Sequence, residues 1–102
     1  MDSNHSNYKS RLKKVEKKIW KCAKINGTKI DYTPMLKYSS EVLEFAEELL
    51  KTKDPNLIEN ISALVIALSL ADDNFKKRAI AVYKKYQNID IVTENLNALL
   101  SF

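Results

Sequence analysis

A chain of 102 residues with 45% hydrophobic and 29% charged side chains has the size and composition of one globular domain with its own core. One glycine and two prolines exclude a turn-rich β architecture and a glycine-rich phosphate loop, and a single cysteine excludes an internal disulfide. The net charge of +4 is only a weak pointer to an anionic partner.

The opening MDSNHSNYKS has no apolar core of the kind a secretory signal needs, so the chain is expected in the cytoplasm. The longest apolar run, ALVIAL, falls well short of the roughly 18 residues that suggest a spanning helix. Residues 1–6 are expected to form a mobile polar lead-in to a single domain over 1–102.

Tyr8, Leu12, Val15, Ile19 and Cys22 follow one another in steps of four and three, which is one apolar seam on a first helix. Asn26-Gly27 is the expected stop, because glycine accepts the left-handed conformation there. Thr33-Pro34 reads as an N-cap with a first-turn proline, opening a second helix that runs to about Lys53. At about 100° per residue, Leu36, Tyr38, Val42, Leu43, Phe45, Ala46, Leu49 and Leu50 share one half of its wheel. Lys37, Ser40, Glu41, Glu44, Glu47, Glu48 and Lys51 share the other.

Asp54-Pro55 repeats the device before NLIENISALVIALSLA, a third helix apolar on nearly every side and so the one neighbours should surround. Asp72 or Asp73 caps a fourth helix from about Asn74 to Gln87, with Phe75, Ala79, Val82, Tyr83 and Tyr86 facing inward and Ile80 off that stripe. Asn88 is placed to close it in the left-handed conformation. The tail over 89–102, ending IDIVTENLNALLSF, is expected to form a short fifth helix covering Ile66 and Leu70 of the third. Short connections favour antiparallel neighbours, so the predicted fold is all-α, an up-down-up-down four-helix bundle with a C-terminal element packed on it.

Charge is unevenly spread. Residues 1–30 carry nine basic and two acidic side chains, residues 31–71 three and seven, and residues 72–102 five and four. The basic first helix should therefore lie beside the acidic second, with Lys13, Lys17, Lys21 or Lys24 opposite Glu41, Glu44 or Glu48. Each exposed pair adds about 0–1 kcal/mol. RLKKVEKKIWKCAK thus reads mainly as the wetted side of a bundle. Trp20 lies about 110° from the centre of the first seam, and cover by the tail is expected over cover by a loop or exposure among lysines. An exposed tryptophan among lysines would instead suit an interfacial membrane helix.

The residues suggest no catalytic apparatus. A Cys–His pair would have to join Cys22, a seam residue, to His5 in the polar lead-in, and no predicted helix carries a histidine for phosphotransfer. A di-iron bundle needs Glu-x-x-His pairs, which are missing. Glu41, Glu44 and Glu48 share a polar face, and Asp72-Asp73 is explained by helix capping. No metal, cofactor or catalytic residue is expected. The third and fourth helices, with ADD between them and KKR following, permit a helix-turn-helix reading and so a nucleic-acid-binding regulator as the alternative function. Two aspartates at the leading end of the recognition helix, where phosphates approach, count against it.

With these elements in place the chain resembles the enterocin A-type (pediocin-like, class IIa) bacteriocin immunity proteins, most like a streptococcal or related lactic-type member. The likeness rests on YKSRLKKVEKKIWKCAK, on the capped starts TP and DP, and on the tail IDIVTENLNALLSF, and covers nearly the whole chain as a layout. It implies a small cytoplasmic antiparallel bundle without catalytic activity that protects a cell from a pore-forming peptide. The implied partner is the bacteriocin's membrane receptor, for this group the membrane part of the mannose phosphotransferase permease, reached from inside with or without bound peptide. Specificity in that family is associated with the C-terminal half. Partner recognition by a bundle needs exposed apolar or aromatic side chains ringed by polar ones. The candidates are Ile80 with Lys77, Arg78, Lys84 and Lys85, then Phe102 and Trp20, whereas Leu96 and Leu99 are expected to close the core. Basic side chains near the inner leaflet would each add about 1 kcal/mol.

Overall fold

The computed structural model describes residues 3–102, with side chains from Asn7 onward. Five helices follow in chain order: α1 (Ser3–Trp20), α2 (Ser39–Thr52), α3 (Pro55–Ala71), α4 (Asp73–Lys84) and α5 (Asp90–Leu100). Between α1 and α2 stand two short strands, β1 (Lys24–Asn26) and β2 (Lys29–Asp31), and a 3-10 segment, Thr33–Tyr38. The protein is mostly helical with a small two-stranded sheet.

α1 begins earlier than the apolar seam that marks it. The loose lead-in expected over 1–6 falls partly on Met1 and Asp2, outside the described residues, while the backbone of Ser3–Trp20 is helical. His5 is therefore within a helix, contrary to expectation; its side chain is outside the described set. Leu12, Val15 and Ile19 are buried as the seam requires, and Tyr8 and Cys22 are half-buried at its ends. The helix stops at Trp20, well before Asn26-Gly27.

Asn26-Gly27 has a different task. Lys24 pairs with Asp31, Ile25 with Ile30 and Asn26 with Lys29 in an antiparallel ladder, leaving Gly27-Thr28 as a two-residue turn. Gly27 has φ +63° and no atoms crowd its missing side chain, so backbone conformation alone makes glycine suitable there. Strand residues 24–30 are exposed, and the hairpin stands outside the core without displacing it.

The predicted second helix is divided. Thr33–Tyr38 is a tighter 3-10 turn with Pro34 near its start, and α-helical geometry begins at Ser39. Thr33 does not cap with its side chain. Instead its side chain and its backbone N–H, the latter 3.0 Å from Oδ1, both bond Asp31 and hold that carboxyl below the usual range. Met35, which helix periodicity from Leu36 omits, is fully buried. Val42, Leu43, Phe45, Ala46, Leu49 and Leu50 are buried as predicted, while Leu36 and Tyr38 are half-buried.

α2 ends with Lys53 at φ 61°, the left-handed stop. Asp54 then caps α3, its carboxylate accepting from the N–H groups of Asn56 and Leu57, with Pro55 in the first turn. Nine α3 residues from Leu57 to Ser69 are buried, and α3 lies against α1, α2, α4, α5 and the 3-10 segment. Asp72, not Asp73, caps α4 by accepting from the Phe75 N–H at 2.9 Å. α4 stops at Lys84 and not Gln87, and Asn88 is not left-handed, since Lys53 is the one described non-glycine residue with positive φ. Phe75, Ala79 and Tyr83 are fully buried; Val82 and Tyr86 are half-buried.

α5 packs on α3 and α4, burying Val92, Leu96 and Leu99. Of the α3 residues expected beneath it, Ile66 is half-buried and packed against the core, whereas Leu70 is 56% exposed. The core thus draws on every helix and on the 3-10 segment, each fully buried Leu, Ile, Val or Phe stabilising it by about 1.5–3 kcal/mol.

Candidate functional site

The basic face of α1 meets α2 through residues other than those predicted. Arg11 straddles Glu48, with Nη1 and Nη2 at 3.3 and 3.2 Å from its two oxygens, and lies 4.3 Å over the Phe45 ring. Lys18 Nζ sits 2.8 and 2.6 Å from the Glu41 oxygens. Glu41 and Glu48 were expected in such pairs, but Lys13, Lys17, Lys21 and Lys24 are exposed, and their places are taken by Arg11 and Lys18. These pairs lie at partly exposed positions and fix which helices are neighbours more than they stabilise the fold.

A groove of about 160 Å³ runs between α1 and α3, lined by Lys9, Leu12, Lys13, Glu16, Asn56, Leu57 and Asn60. Partial burial pushes the Glu16 carboxyl up, and Lys13 nearby opposes that. Lys9 and Lys13 against Glu16 leave the lining with one net positive charge, carried by side chains at least partly open to solvent. Among the described residues every buried side-chain nitrogen or oxygen has a hydrogen-bond partner, and no cluster of three metal-ligating side chains occurs.

The α4 candidates fall on one side of the molecule. Lys77, Arg78, Lys84 and Lys85 are exposed, and by helical geometry they occupy a continuous arc. Lys85 turns back to α2, 3.4 Å from Glu47 Oε2, where the Tyr86 hydroxyl also donates at 3.1 Å. Desolvation would raise Glu47, but the bonds from Tyr86 and Lys85 outweigh it and hold its carboxyl low. Ile80, proposed as an exposed apolar contact, is half-buried and packs against the core.

Phe102 is 43% exposed, and Lys76 Nζ lies 4.6 Å from its ring centroid while donating to the Phe102 carbonyl oxygen. The end of the chain is thereby tied to α4. Leu100 beside it is 54% exposed. Phe102 thus meets α4 at Lys76, and the exposed cations Lys77, Arg78, Lys84 and Lys85 follow along the chain from there. Sequence reasoning missed Lys76, whose position on the flank of α4 nearest Ile80 is its only signal.

Trp20 does not join this group. It packs edge-on against Tyr32, with ring centroids 6.2 Å apart and planes at 69°, so a loop residue provides the cover expected from the tail. Ile25 and Ile30, 78% and 52% exposed, were not singled out, although Asn-Gly between short apolar-containing runs is a hairpin signal.

α3 and α4 are joined by Asp72 alone. A helix-turn-helix motif uses a turn of about three to four residues, a longer connection than this one. No helix among the described residues is long and apolar enough to cross a membrane. No protein-family model, curated protein or solved structure matches the chain.

Proposed function

We propose that this protein is a non-catalytic bacteriocin immunity protein, working in the cytoplasm at the inner membrane face by binding the receptor through which a pore-forming peptide kills. In this reading α1–α4 alternate in direction as an antiparallel bundle, with α5 laid over α3 and α4 to present the C-terminal end. The observation that carries the proposal is the surface at that end. Phe102 stands partly exposed against Lys76, two residues after exposed Leu100, and Lys76 leads into the exposed cations Lys77, Arg78, Lys84 and Lys85 of the α4 arc. An aromatic anchor beside apolar and cationic side chains suits recognition of a protein partner better than catalysis.

The resemblance to pediocin-like immunity proteins supplies the partner class, a bacteriocin receptor such as the mannose phosphotransferase permease, with or without bound peptide. The test is expression in a strain sensitive to pediocin-like peptides. Survival is expected for at least one peptide and should fall on Phe102→Ala with the fold intact. Unchanged killing by every peptide of the class overturns the reading. The one-residue join between α3 and α4 gives the nucleic-acid reading no support.

A further inference from the structure

The β1–β2 hairpin projects two large aliphatic side chains that the core does not cover. Ile25 and Ile30 are direct cross-strand partners, so both point from the same face of the ladder. They are 78% and 52% exposed, while buried isoleucines such as Ile19, Ile58 and Ile61 are inaccessible. Lys24, Asn26 and Lys29 alternate with them and point from the other face. At the base, Trp20 and Tyr32 pack edge-on, one just before β1 and the other just after β2. Exposed Lys21, Lys24 and Lys29 outnumber Asp31, the one acid of this stretch, whose carboxylate accepts the Thr33 N–H.

We propose that this hairpin is a peripheral membrane contact that lays Ile25 and Ile30 into the interface of an anionic lipid bilayer. Charge complementarity favours that occupant. Three lysines on a few residues match a negatively charged surface, and each strengthens binding there roughly fivefold. A phosphate-rich polymer would satisfy the lysines but not an exposed aliphatic pair. A lipid interface rewards both, with Lys24 and Lys29 reaching round the edges of the narrow ribbon from its opposite face to the headgroups and a tryptophan–tyrosine pair at headgroup depth. The contact is separate from the Phe102 surface, and it stands or falls independently of the immunity reading, which is tested by cell survival.

The test is sedimentation of the whole protein with vesicles of phosphatidylglycerol and phosphatidylcholine, against vesicles of phosphatidylcholine alone. Trp20, the sole tryptophan, reports the hairpin base by its emission. Binding is expected to the anionic vesicles only, weakening as salt rises, with a blue shift of the emission. Ile25→Ser with Ile30→Ser should weaken it by about tenfold or more, and Lys24→Glu with Lys29→Glu should do likewise. Leu70→Ser, an exposed apolar change on α3 away from both surfaces, should leave it unaltered. Circular dichroism establishes that each variant keeps its helices. Failure to bind anionic vesicles at low salt overturns the proposal, as does binding indifferent to the isoleucine pair or equally sensitive to Leu70→Ser.

Discussion

The Tyr83 hydroxyl and Ser62 Oγ lie 2.6 Å apart in the core, the one side chain–side chain hydrogen bond between fully buried groups among the described residues. It ties α4 to α3 where both are otherwise apolar. Ser62→Ala leaves the Tyr83 hydroxyl buried without a partner and should cost about 1–3 kcal/mol. Tyr83→Phe should cost less, because Ser62 can turn to a carbonyl of its own helix. The double variant should be more stable than the summed losses imply, measured by urea unfolding of all four proteins.

Burial pushes the Tyr83 hydroxyl up to about 12, against the weaker opposing pull of the Ser62 bond. The folded state thus keeps a proton that the unfolded chain begins to release near pH 10. This stability is fully present below about pH 10 and is lost as pH rises toward 12, amounting to about 2–3 kcal/mol. Wild type should lose stability more steeply than Tyr83→Phe across that window. Parallel slopes in urea midpoint against pH would contradict the assignment.

Glu47 links α2 to the end of α4 through Tyr86 and Lys85. Its lowered carboxyl contributes stability that is present above the ordinary glutamate range and lost as pH falls through the lowered value. Glu47→Gln should therefore lose less stability than wild type between pH 7 and about pH 3. The difference should stay below about 1 kcal/mol, because the pair is partly solvated. Urea midpoints at the two pH values measure it.

Leu64 and Leu70 occupy the same helix in opposite environments, the first inaccessible and the second 56% exposed. Leu64→Ala should cost about 2–5 kcal/mol through lost burial and a residual cavity. Leu70→Ala should fall within about 0.5 kcal/mol of wild type. Thermal or urea unfolding of the two variants separates these outcomes.

Lys53 holds φ 61° between α2 and Asp54. A side chain there carries a steric cost that glycine avoids. Lys53→Gly should raise stability by about 0.5–1 kcal/mol despite a more flexible unfolded chain, whereas a loss on urea unfolding would show that strain at this stop is negligible.

The helices were legible where a face or a cap stood out. The α2 stripe, Asp54-Pro55, Asp72 and the burial of Leu96 and Leu99 follow from period and from the need to satisfy helix N–H groups. The hairpin was hidden because strands of three residues are too short for alternation to register, and Asn26-Gly27 serves a helix stop equally well in principle. Met35 escaped because a 3-10 turn shifts the angular position of everything in it relative to α2. Which lysines meet which glutamates depends on helix rotation, and composition by segment could identify only the two helices. Of the proposed contact residues, Lys77, Arg78, Lys84, Lys85 and Phe102 are solvent-facing. Ile80 and Trp20 are drawn inward by neighbours, the core and Tyr32, that no local pattern announces.

Because α3 touches every other helix, a nick in the chain just before it would not yield two independent halves. A fragment ending at Lys53 would keep α1 and α2 without the rod that joins them, and its complement would hold that rod with one flank bare. Mixed together, the two pieces should recover helical content that neither has alone, since each lacks what the other supplies.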